Sequence, residues 1–422
     1  MNWLDRLYLF ILIYPSVMAI IWICGGIYYY FHWERRQLKV ARQGPLQLAE
    51  YPRVSIMVPC YNEGANVDET IGHLLQNQDY PNFEIVAIND GSKDDTGARL
   101  DRIAAKDSRL MVVHQENQGK AAGLNNGIQY ASGEYLVCID GDALLDKNAS
   151  RWMVQHFQNY PRVGAVTGNP RVRTRSTIIG KIQTGEFSSI IGLIKRAQRI
   201  YGTVFTISGV VCAFRKTAIN EIGGWSTDMI TEDIDVSWKL QMKDWQIHFE
   251  PQARCWVLMP ETLPGLYKQR LRWAQGGAEV FLKYGWQAIL KRKTKFWPLM
   301  LEYLSCVIWC YSLTITMLAH SAQIFPLSEQ HTIYQLFVFE WSGIALVLIC
   351  LTQFSASLVI DRHYDARLLR NFLWCIWYPM FYWVLNVVTV IIAVPKAITR
   401  KKGENARWES PDRGEVFRDD NK

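Results

Sequence analysis

The chain of 422 residues consists of long apolar runs around one long polar stretch. The first run, from 7 to 31, has 25 residues without a charge. As a helix it would measure about 37 Å, enough to cross a hydrocarbon layer of about 30 Å with some tilt. Three further runs, 303–325, 341–360 and 372–394, follow a polar stretch from 32 to 296. The pattern predicts membrane-spanning helices on both sides of a polar domain.

The charges beside the first run predict its orientation. Arg35, Arg36, Lys39 and Arg42 follow it, and the positive-inside rule places such a segment in the cytoplasm. A cleaved signal peptide is the alternative, but the run is too long and lacks a clear A-x-A site. Counting crossings gives a conflict, because three later spans would place the tail outside while the basic residues from 396 to 402 favour the inside. Pro379 in the last run and Glu302 beside the first of these three runs leave re-entrant or interfacial behaviour open for either.

The polar stretch between 54 and 139 repeats a short apolar run, a polar loop and a helical segment. Strands are predicted at 54–58, 84–88, 110–113 and 135–139, and helices begin near Asn66, Asp94 and Lys120. This alternation predicts an α/β fold with a mostly parallel sheet. A polar cluster follows each strand: 59–63, 89–92, 115–120 and 140–142. Ligands of open α/β sheets bind at the carboxyl ends of strands, so one shared site is expected there.

Motifs and composition exclude several classes of protein. The chain has neither G-x-G-x-x-G after the first strand nor G-x-x-x-x-G-K-[ST], which removes the main support for dinucleotide and P-loop sites. The nine cysteines form neither a disulfide framework nor a zinc pattern and are interpreted as buried thiols. The net charge of +7 follows the membrane flanks, so nucleic acid is not an expected partner.

Asp140 and Asp142 are the candidate metal ligands. They are separated by one residue at a strand end, so their carboxylates can project to one side. Carboxylate oxygens suit Mg²⁺ or Mn²⁺, with substrate phosphates completing the shell. A solvated turn is the alternative for D-x-D alone, and its position in the sheet favours the functional interpretation.

Five motifs occur in order along the chain. They are Tyr61-Asn62-Glu63, Asn89-Asp90-Gly91-Ser92, Asp140-Gly141-Asp142, Thr231-Glu232-Asp233 and Gln269-Arg270-Leu271-Arg272-Trp273. This set resembles the processive, inverting family-two glycosyltransferases, which include cellulose, chitin and hyaluronan synthases. The resemblance implies an α/β GT-A glycosyltransferase domain, with a mostly parallel nucleotide-binding sheet, embedded between transmembrane α-helices.

Four longer sequence strings indicate one group within this family of glycosyltransferases. They lie at 164–171, 229–234, 273–277 and 410–414. With the flanking spans they resemble the bacterial poly-β-1,6-N-acetyl-D-glucosamine synthases, some of which have two amino-terminal spans where this chain has one. The implied organisation is an anchor (1–32), a cytoplasmic GT-A catalytic domain (33–262), amphipathic interface helices with the Q-x-x-R-W motif (263–296), carboxyl-terminal transmembrane helices (297–394) and a basic cytoplasmic tail (395–422).

The resemblance implies that Asp233 is the catalytic base, with Glu232 beside it. An inverting transferase needs a carboxylate that takes the proton from the acceptor hydroxyl as it attacks the anomeric carbon. Thr231 can also cap a helix with both acids in its first turn, and the two interpretations are compatible. Asp235 is expected at the surface or behind the site.

The resemblance implies that the Q-x-x-R-W set binds the acceptor and the diphosphate. Arg272 would hold the diphosphate, Trp273 would stack against the acceptor sugar, and Gln269 would orient the acceptor or its helix. An amphipathic stretch that lies on the bilayer surface is the other interpretation, and both can be true.

The remaining predicted residues bind the nucleotide sugar. They are Tyr61, Glu63, Asp90, Lys120 and Asp140, with Asp142 and Asp140 as ligands of Mg²⁺ or Mn²⁺. Tyr61 would pack on the uridine, Asp90 would hydrogen-bond to it, and Lys120 would approach a phosphate. A turn at Asp90-Gly91 and an exposed first-turn lysine are the local alternatives.

The predicted function is a processive membrane-bound hexosyltransferase of the bacterial inner membrane, an N-acetylglucosaminyltransferase. It would polymerise UDP-N-acetylglucosamine into poly-β-1,6-N-acetyl-D-glucosamine for the biofilm matrix and help the growing polysaccharide across the lipid bilayer. The resemblance also implies a small membrane partner subunit and cyclic di-GMP shared with that partner. The alternatives are a hyaluronan-, chitin- or cellulose-type synthase, a lipid-linked monoglycosyl transferase, and a non-enzymatic nucleotide-sugar-binding receptor.

Overall fold

A computed structural model describes residues 3–321, 341–401 and 403 of the chain. Several predictions concern residues outside these ranges. They are the string 410–414, most of the predicted tail and the end of the predicted span near 325. At the start of the span near 341, only the backbone is described.

An eight-stranded sheet forms the centre of the polar domain. Its strands are β1 (Val54–Cys60), β2 (Phe83–Asp90), β3 (Leu110–Gln115), β4 (Tyr135–Ile139), β5 (Leu144–Leu145), β6 (Val163–Val172), β7 (Val211–Arg215) and β8 (Gln246–Val257). Their order is β3-β2-β1-β4-β7-β6-β8-β5. The first four strands are parallel, β7 is antiparallel to β4 and β6, and β6 is parallel to β8. The carboxyl ends of β1–β4, β6 and β8 therefore share one edge.

The predicted strands are confirmed, each within a few residues of its expected ends. Every residue of β1 is buried, as expected for a parallel strand covered on both faces. Alternate β1 residues enter two apolar cores, with Val58 in one and Met57 in the other. The antiparallel β7 and the strands β5, β6 and β8 were not predicted.

Helices cover both faces of the sheet. They are α3 (Val67–Asn77), α4 (Thr96–Ala104), α5 (Lys120–Tyr130), α6 (Ala149–Asn159), α9 (Lys216–Glu221) and α10 (Glu232–Met242). The apolar residues of α3, α4 and α6 enter the first core, and those of α5, α9 and α10 enter the second. The polar residues at the carboxyl ends of β1, β2 and β4 are buried, as for Glu63, Asp90 and Asp142, or half-buried, as for Tyr61 and Asp140.

A second group of helices is apolar or packs on apolar helices. It comprises α1 (Trp3–Tyr29), α2 (Arg35–Gln43), α7 (Ile178–Glu186), α8 (Ile194–Tyr201), α11 (Leu263–Leu290), α12 (Trp297–Ser321), α13 (Trp341–Asp361) and α14 (Tyr378–Thr399). A π-helical segment, Phe187–Leu193, joins α7 to α8. The segment from α7 to α8 packs on α1 and α13, so part of the predicted catalytic segment 33–262 belongs structurally with the membrane helices.

Four helices in the described part of the chain are long and apolar enough to cross a membrane. They lie at Arg6–Gln43, Thr294–Ala319, Ile344–Asp361 and Phe381–Thr399. The first continues through a π-helical turn, Tyr30–Glu34, so the predicted boundary at 32 falls inside a helix that ends at Gln43.

The predicted run 372–394 differs most from the structure. Its first part is a 3-10 helix, Leu368–Trp377, and α14 begins only at Tyr378. Pro379 thus starts a helix rather than breaking one, because a first-turn residue needs no N–H bond within the helix.

Buried charges join the second group of helices to one another and to strand β6 of the sheet. Arg196 of α8 makes two bonds, of 2.6 and 2.8 Å, to the carboxylate of Glu34, and its guanidinium lies 2.8 Å from Asp361. Asp361 also lies 2.8 Å from Arg171 of β6, and Tyr364 donates to Glu34 at 2.6 Å. Because all of these side chains are buried, each charge depends on its partners.

Candidate active site

Lys120, the first residue of α5, lies at the centre of the candidate site. Its Nζ is 2.6 Å from Asp140 Oδ1 and 3.0 Å from Glu232 Oε1, and it donates to the Gly209 carbonyl at 3.2 Å. Although burial acts to lower it, these carboxylates hold the pKa of Lys120 well above its usual value. The fold thus brings Asp140 and Glu232, from two of the five motifs, together around a buried cation, whereas an exposed lysine was the local alternative.

Asp233 lies in the first turn of α10, half-buried beside the loop that precedes β7. A Cβ built on Gly209 would lie 3.1 Å from its Oδ2, a tighter contact than nearly all Cβ atoms make, so the loop passes close to the carboxylate. Burial, followed by the charge of Glu232, raises the pKa of Asp233 to about 6, with Lys120 and Arg272 opposing the shift. A carboxylate with a pKa near neutrality is suited to act as a general base.

The neighbouring Glu232 is shifted the other way. Burial acts to raise its pKa, but the charges of Lys120 and Arg272 outweigh burial and lower it. Glu232 therefore stays ionised as a partner of Lys120, while Asp233 is the group able to take up a proton. Opposite shifts in adjacent carboxyl groups distinguish an acid–base residue from an electrostatic one.

Thr231 occupies the capping position of α10, but its side chain makes no capping hydrogen bond. It packs instead on Gly276 of α11. Asp235 is fully buried behind the site. Its Oδ1 accepts hydrogen bonds from two residues of α11, Lys283 Nζ (3.0 Å) and Tyr284 Oη (2.8 Å). These contacts fix α10, which carries the acids, against α11.

The single helix α11 carries the whole Q-x-x-R-W set. Gln269 is buried, and Trp273 packs against the first core. The guanidinium of Arg270 lies 4.2 Å from the Trp273 ring centre and 2.6 Å from Glu186 Oε2 of α7. Arg272 is near enough to the acids for its charge to lower both of their pKa values. This segment of α11 therefore forms one wall of the site.

The second half of α11 has a different surface. Leu282, Trp286 and Leu290 are largely exposed there, as expected for a helix in contact with the bilayer surface. The two interpretations of this stretch thus apply to different parts of one helix.

On the donor side, Asp90 organises the loop that leads into α5. Its carboxylate accepts bonds from the backbone N–H groups of Gln118 (2.9 Å) and Gly119 (2.8 Å) and from Gln115 Nε2 (2.7 Å). Gly119 has φ = 90°, a conformation that favours glycine. Asp90 therefore helps to place Lys120, and its contact with a uridine remains a prediction.

Glu63 shapes the neighbouring loop. It is fully buried, its Oε2 accepts a bond from Asn66 Nδ2 at 2.9 Å, and its carbonyl accepts the first bonds of α3. Tyr61 directly follows β1 and is half-buried at the rim. Their predicted roles in nucleotide-sugar binding remain predictions.

The carboxylates at the end of β4 fit a divalent cation. Asp140 and Asp142 are mostly buried, and together with Asp146 they raise the pKa of the buried Cys255 thiol beyond the effect of burial itself. A bound cation would offset this concentration of negative charge. Within the described residues no three His, Cys, Asp or Glu side chains form a complete metal cage, so other ligands would come from the substrate.

One buried residue of the site was missed in the sequence. Lys195 of α8 donates to Ser208 Oγ at 2.7 Å and to Thr167 Oγ1 at 3.1 Å. In the sequence it stands between apolar residues and Arg196, a pattern typical of the polar face of an interfacial helix. No local signal identifies it as part of the site.

Comparison with known proteins agrees with this arrangement. Residues 52–276 match the family described as glycosyltransferase like family 2. The chain belongs to this family. It is 43% identical over 413 residues to a poly-β-1,6-N-acetyl-D-glucosamine synthase of Staphylococcus epidermidis, covering 97% of this chain and 99% of the relative. The synthase of Staphylococcus aureus strain COL is 41% identical over 409 residues, with the same coverage.

The fold is shared with a solved glycosyltransferase. A mannosyltransferase from Pyrobaculum calidifontis, in complex with GDP-mannose and Mn²⁺, superposes with a TM-score of 0.60 and 20% identity, covering 94% of this chain and all of that one. The predicted GT-A glycosyltransferase fold and the predicted family, including its resemblance to the poly-β-1,6-N-acetyl-D-glucosamine synthases, are both confirmed.

Proposed function

We propose that this membrane protein is a processive, inverting N-acetylglucosaminyltransferase that builds poly-β-1,6-N-acetyl-D-glucosamine from UDP-N-acetylglucosamine for a biofilm matrix. The observation that carries the proposal is the arrangement at the start of α10, where Glu232 pairs with Lys120 at 3.0 Å and burial, followed by the charge of Glu232, raises the pKa of Asp233 to about 6. The names of the staphylococcal relatives, which match over 97% of this chain, support the product.

The chain's own residues supply the acid–base chemistry. Asp233 takes the proton of the acceptor hydroxyl as its oxygen bonds to the anomeric carbon, while the bond from that carbon to UDP breaks and the diphosphate leaves with the electron pair. Arg272 and Lys120 provide positive charge close to the acids, where negative charge develops on the leaving diphosphate. The attack from the side opposite UDP inverts the anomeric centre.

Asp142 and Asp140 are the residues that would hold Mg²⁺ or Mn²⁺. The cation, when bound, would stabilise negative charge on the diphosphate. The solved mannosyltransferase of the same fold is a Mn²⁺ complex, which supports a divalent metal without distinguishing between the two ions.

A cavity beside the Q-x-x-R-W segment supports passage of the polymer across the membrane. It has a volume of about 220 Å³ and is lined by residues of α1, α7, α11, α12, α13 and α14. Arg270 and Glu186 lie at its wall, and Trp22, Trp309 and Tyr382 contribute aromatic faces. Aromatic walls with a few polar groups are typical of sites for amphipathic ligands such as sugar chains.

The position of α14 bears on topology. Arg400, just after this helix, lies 2.7 Å from Glu279 of α11, and α11 contacts the catalytic acids' helix through Gly276. The end of α14 is thus tied to the catalytic domain. We infer a cytoplasmic tail and catalytic domain in a bacterial inner-membrane protein. A small membrane partner and cyclic di-GMP remain proposals from the family resemblance.

Incubation of membranes with labelled UDP-sugars tests the proposal. Membranes with Mg²⁺ or Mn²⁺, with and without a candidate partner subunit, are expected to make polymer from UDP-N-acetylglucosamine, and the product is expected to be cut by a β-1,6-specific hydrolase. Membranes carrying the Asp233→Asn variant serve as the blank. Polymer from UDP-glucose alone would contradict the sugar assignment, and a single-sugar product would contradict processivity.

A further inference from the structure

Lys195 is a buried cation that the proposed mechanism leaves unused. Only 4% of its surface is exposed, and its ammonium donates to two neutral hydroxyls, those of Thr167 and Ser208. In the described part of the chain no carboxylate lies within ion-pair distance of it. An unpaired buried ammonium is costly, so its presence here calls for a function.

One hydroxyl that Lys195 contacts, that of Ser208, belongs to the loop against the proposed base Asp233, and the other, that of Thr167, belongs to strand β6. Ser208 N also donates to Thr167 Oγ1, at 2.8 Å, which closes a small network on the loop. The next residue, Gly209, has its carbonyl bound by Lys120 at 3.2 Å and lies against the Asp233 carboxylate. The loop is therefore held between two lysines, one on each side of Gly209.

Charge connects Lys195 to the same acid. Burial lowers the pKa of Lys195 to about 7, and the charges of Asp233 and then Cys212 act against that shift. Cys212 is itself kept as a neutral thiol by burial, which raises its pKa. The charged groups that face Asp233 from other positions are Glu232, Lys120 and Arg272.

The helix that carries Lys195 is unusually well fixed. The next residue, Arg196, holds Glu34 and Asp361, and Gln198 donates to Glu302 of α12 at 3.3 Å. Lys195 is thus presented to the loop by a helix that is bonded to the membrane helices.

We propose that Lys195 is a positioning residue of this transferase: it fixes the Ser208–Gly209 loop against Asp233 and supplies a buried positive charge toward that carboxylate. This inference rests on the proposed role of Asp233 as the base. Below neutral pH Lys195 is protonated and favours the ionised form of Asp233, so its removal makes the base harder to ionise.

The test compares Lys195→Met, Lys195→Arg and Ser208→Ala in full-length protein in membranes. Lys195→Met is expected to lower kcat about 10- to 100-fold, as for a misplaced reacting group, with little change in the KM for UDP-N-acetylglucosamine. The acid limb of its pH profile is expected to move up by less than about one pH unit, because Lys120 and Arg272 supply the larger positive charges at Asp233. Lys195→Arg is expected to keep the wild-type limb.

A matched control uses Lys216, a half-buried lysine. Lys216 donates to the Ala131 carbonyl at 2.6 Å, outside the site, and Lys216→Met is expected to leave the limb unchanged. A folded Lys195→Met protein with wild-type kcat and pH profile would overturn the proposal. If that variant does not fold, Ser208→Ala decides: a lower kcat at constant KM supports the role, and a wild-type kcat refutes it.

The two proposals fail in different ways. If Asp233→Asn retains full synthesis, the base assignment fails. If Asp233→Asn is inactive while the Lys195 variants are silent, only the positioning role fails.

Discussion

Gly276 of α11 lies directly against Thr231, so that a Cβ on the glycine would be 2.0 Å from the threonine hydroxyl oxygen. This approach brings the helix with Arg272 and Trp273 to the start of the helix with Glu232 and Asp233. The relative position of the proposed acceptor-binding residues and the proposed base therefore depends on the absence of one methyl group.

Gly276→Ala is expected to reduce polymer synthesis at least about tenfold, because α10 and α11 must separate at a cost of about 1–3 kcal/mol. Gly277→Ala is the matched control, since a Cβ there would meet the nearest atoms, Phe205 and Tyr303, at 3.5 Å, an ordinary contact. Initial rates and thermal unfolding of both variants in detergent provide the measurement. Equal activity of the two would contradict the role of this contact.

Synthesis is expected to depend on pH through Asp233. Its pKa of about 6 means that the carboxylate needed as a base is lost as pH falls through that value, so activity rises with pH across this range. Glu232→Gln removes a negative neighbour and should move the acid limb to lower pH. A pH profile of initial rates at saturating donor checks both statements, and a limb unmoved or moved upward by this substitution would contradict the assignment.

Asp233→Asn is expected to lower synthesis by about 10²–10⁴-fold, the usual contribution of a general base, while binding of UDP is retained. Rates come from incorporation of labelled sugar, and UDP binding from calorimetry of purified protein. A variant that loses both binding and synthesis to the same extent would indicate a structural rather than a catalytic role.

Asp361→Asn is expected to destabilise the protein by about 3–5 kcal/mol, because Arg171 and Arg196 would lose a shared buried partner. Asp365→Asn is the control. Its partner Arg175 is more exposed than Arg171, so this substitution should lower the free energy of unfolding by less. The measurement is the thermal unfolding midpoint of each variant in the same detergent. Equal decreases of the midpoint in the two variants would contradict the prediction.

A tryptophan in the cavity is expected to shorten the polymer. Leu346 lines the cavity, whereas Leu348 of the same helix is 57% exposed and does not. Leu346→Trp should give shorter chains at a similar rate of UDP release, and Leu348→Trp should give wild-type lengths. Product size by gel filtration is the readout, and equal lengths would remove the cavity from the path.

Much of the fold was predictable because it is encoded locally. The first four strands follow from apolar runs with polar residues at their ends, and the D-x-D pair gains meaning from that position alone. The contacts of Lys195 and Asp361 were not predictable. Asp361 meets Arg171 across 190 positions of sequence, and a lysine between apolar residues looks the same on a membrane-facing helix as in a catalytic site. Only the tertiary structure distinguishes these cases.

The Arg171–Asp361 pair also bears on the order in which the protein matures. Arg171 belongs to an interior strand of the sheet, yet its partner Asp361 is the last residue of α13, 190 positions further along the chain. Until residue 361 has been synthesised, Arg171 and Arg196 lack that acid. A nascent chain that ends before residue 361 therefore contains two arginines, Arg171 and Arg196, without the acid that pairs with both in the complete fold.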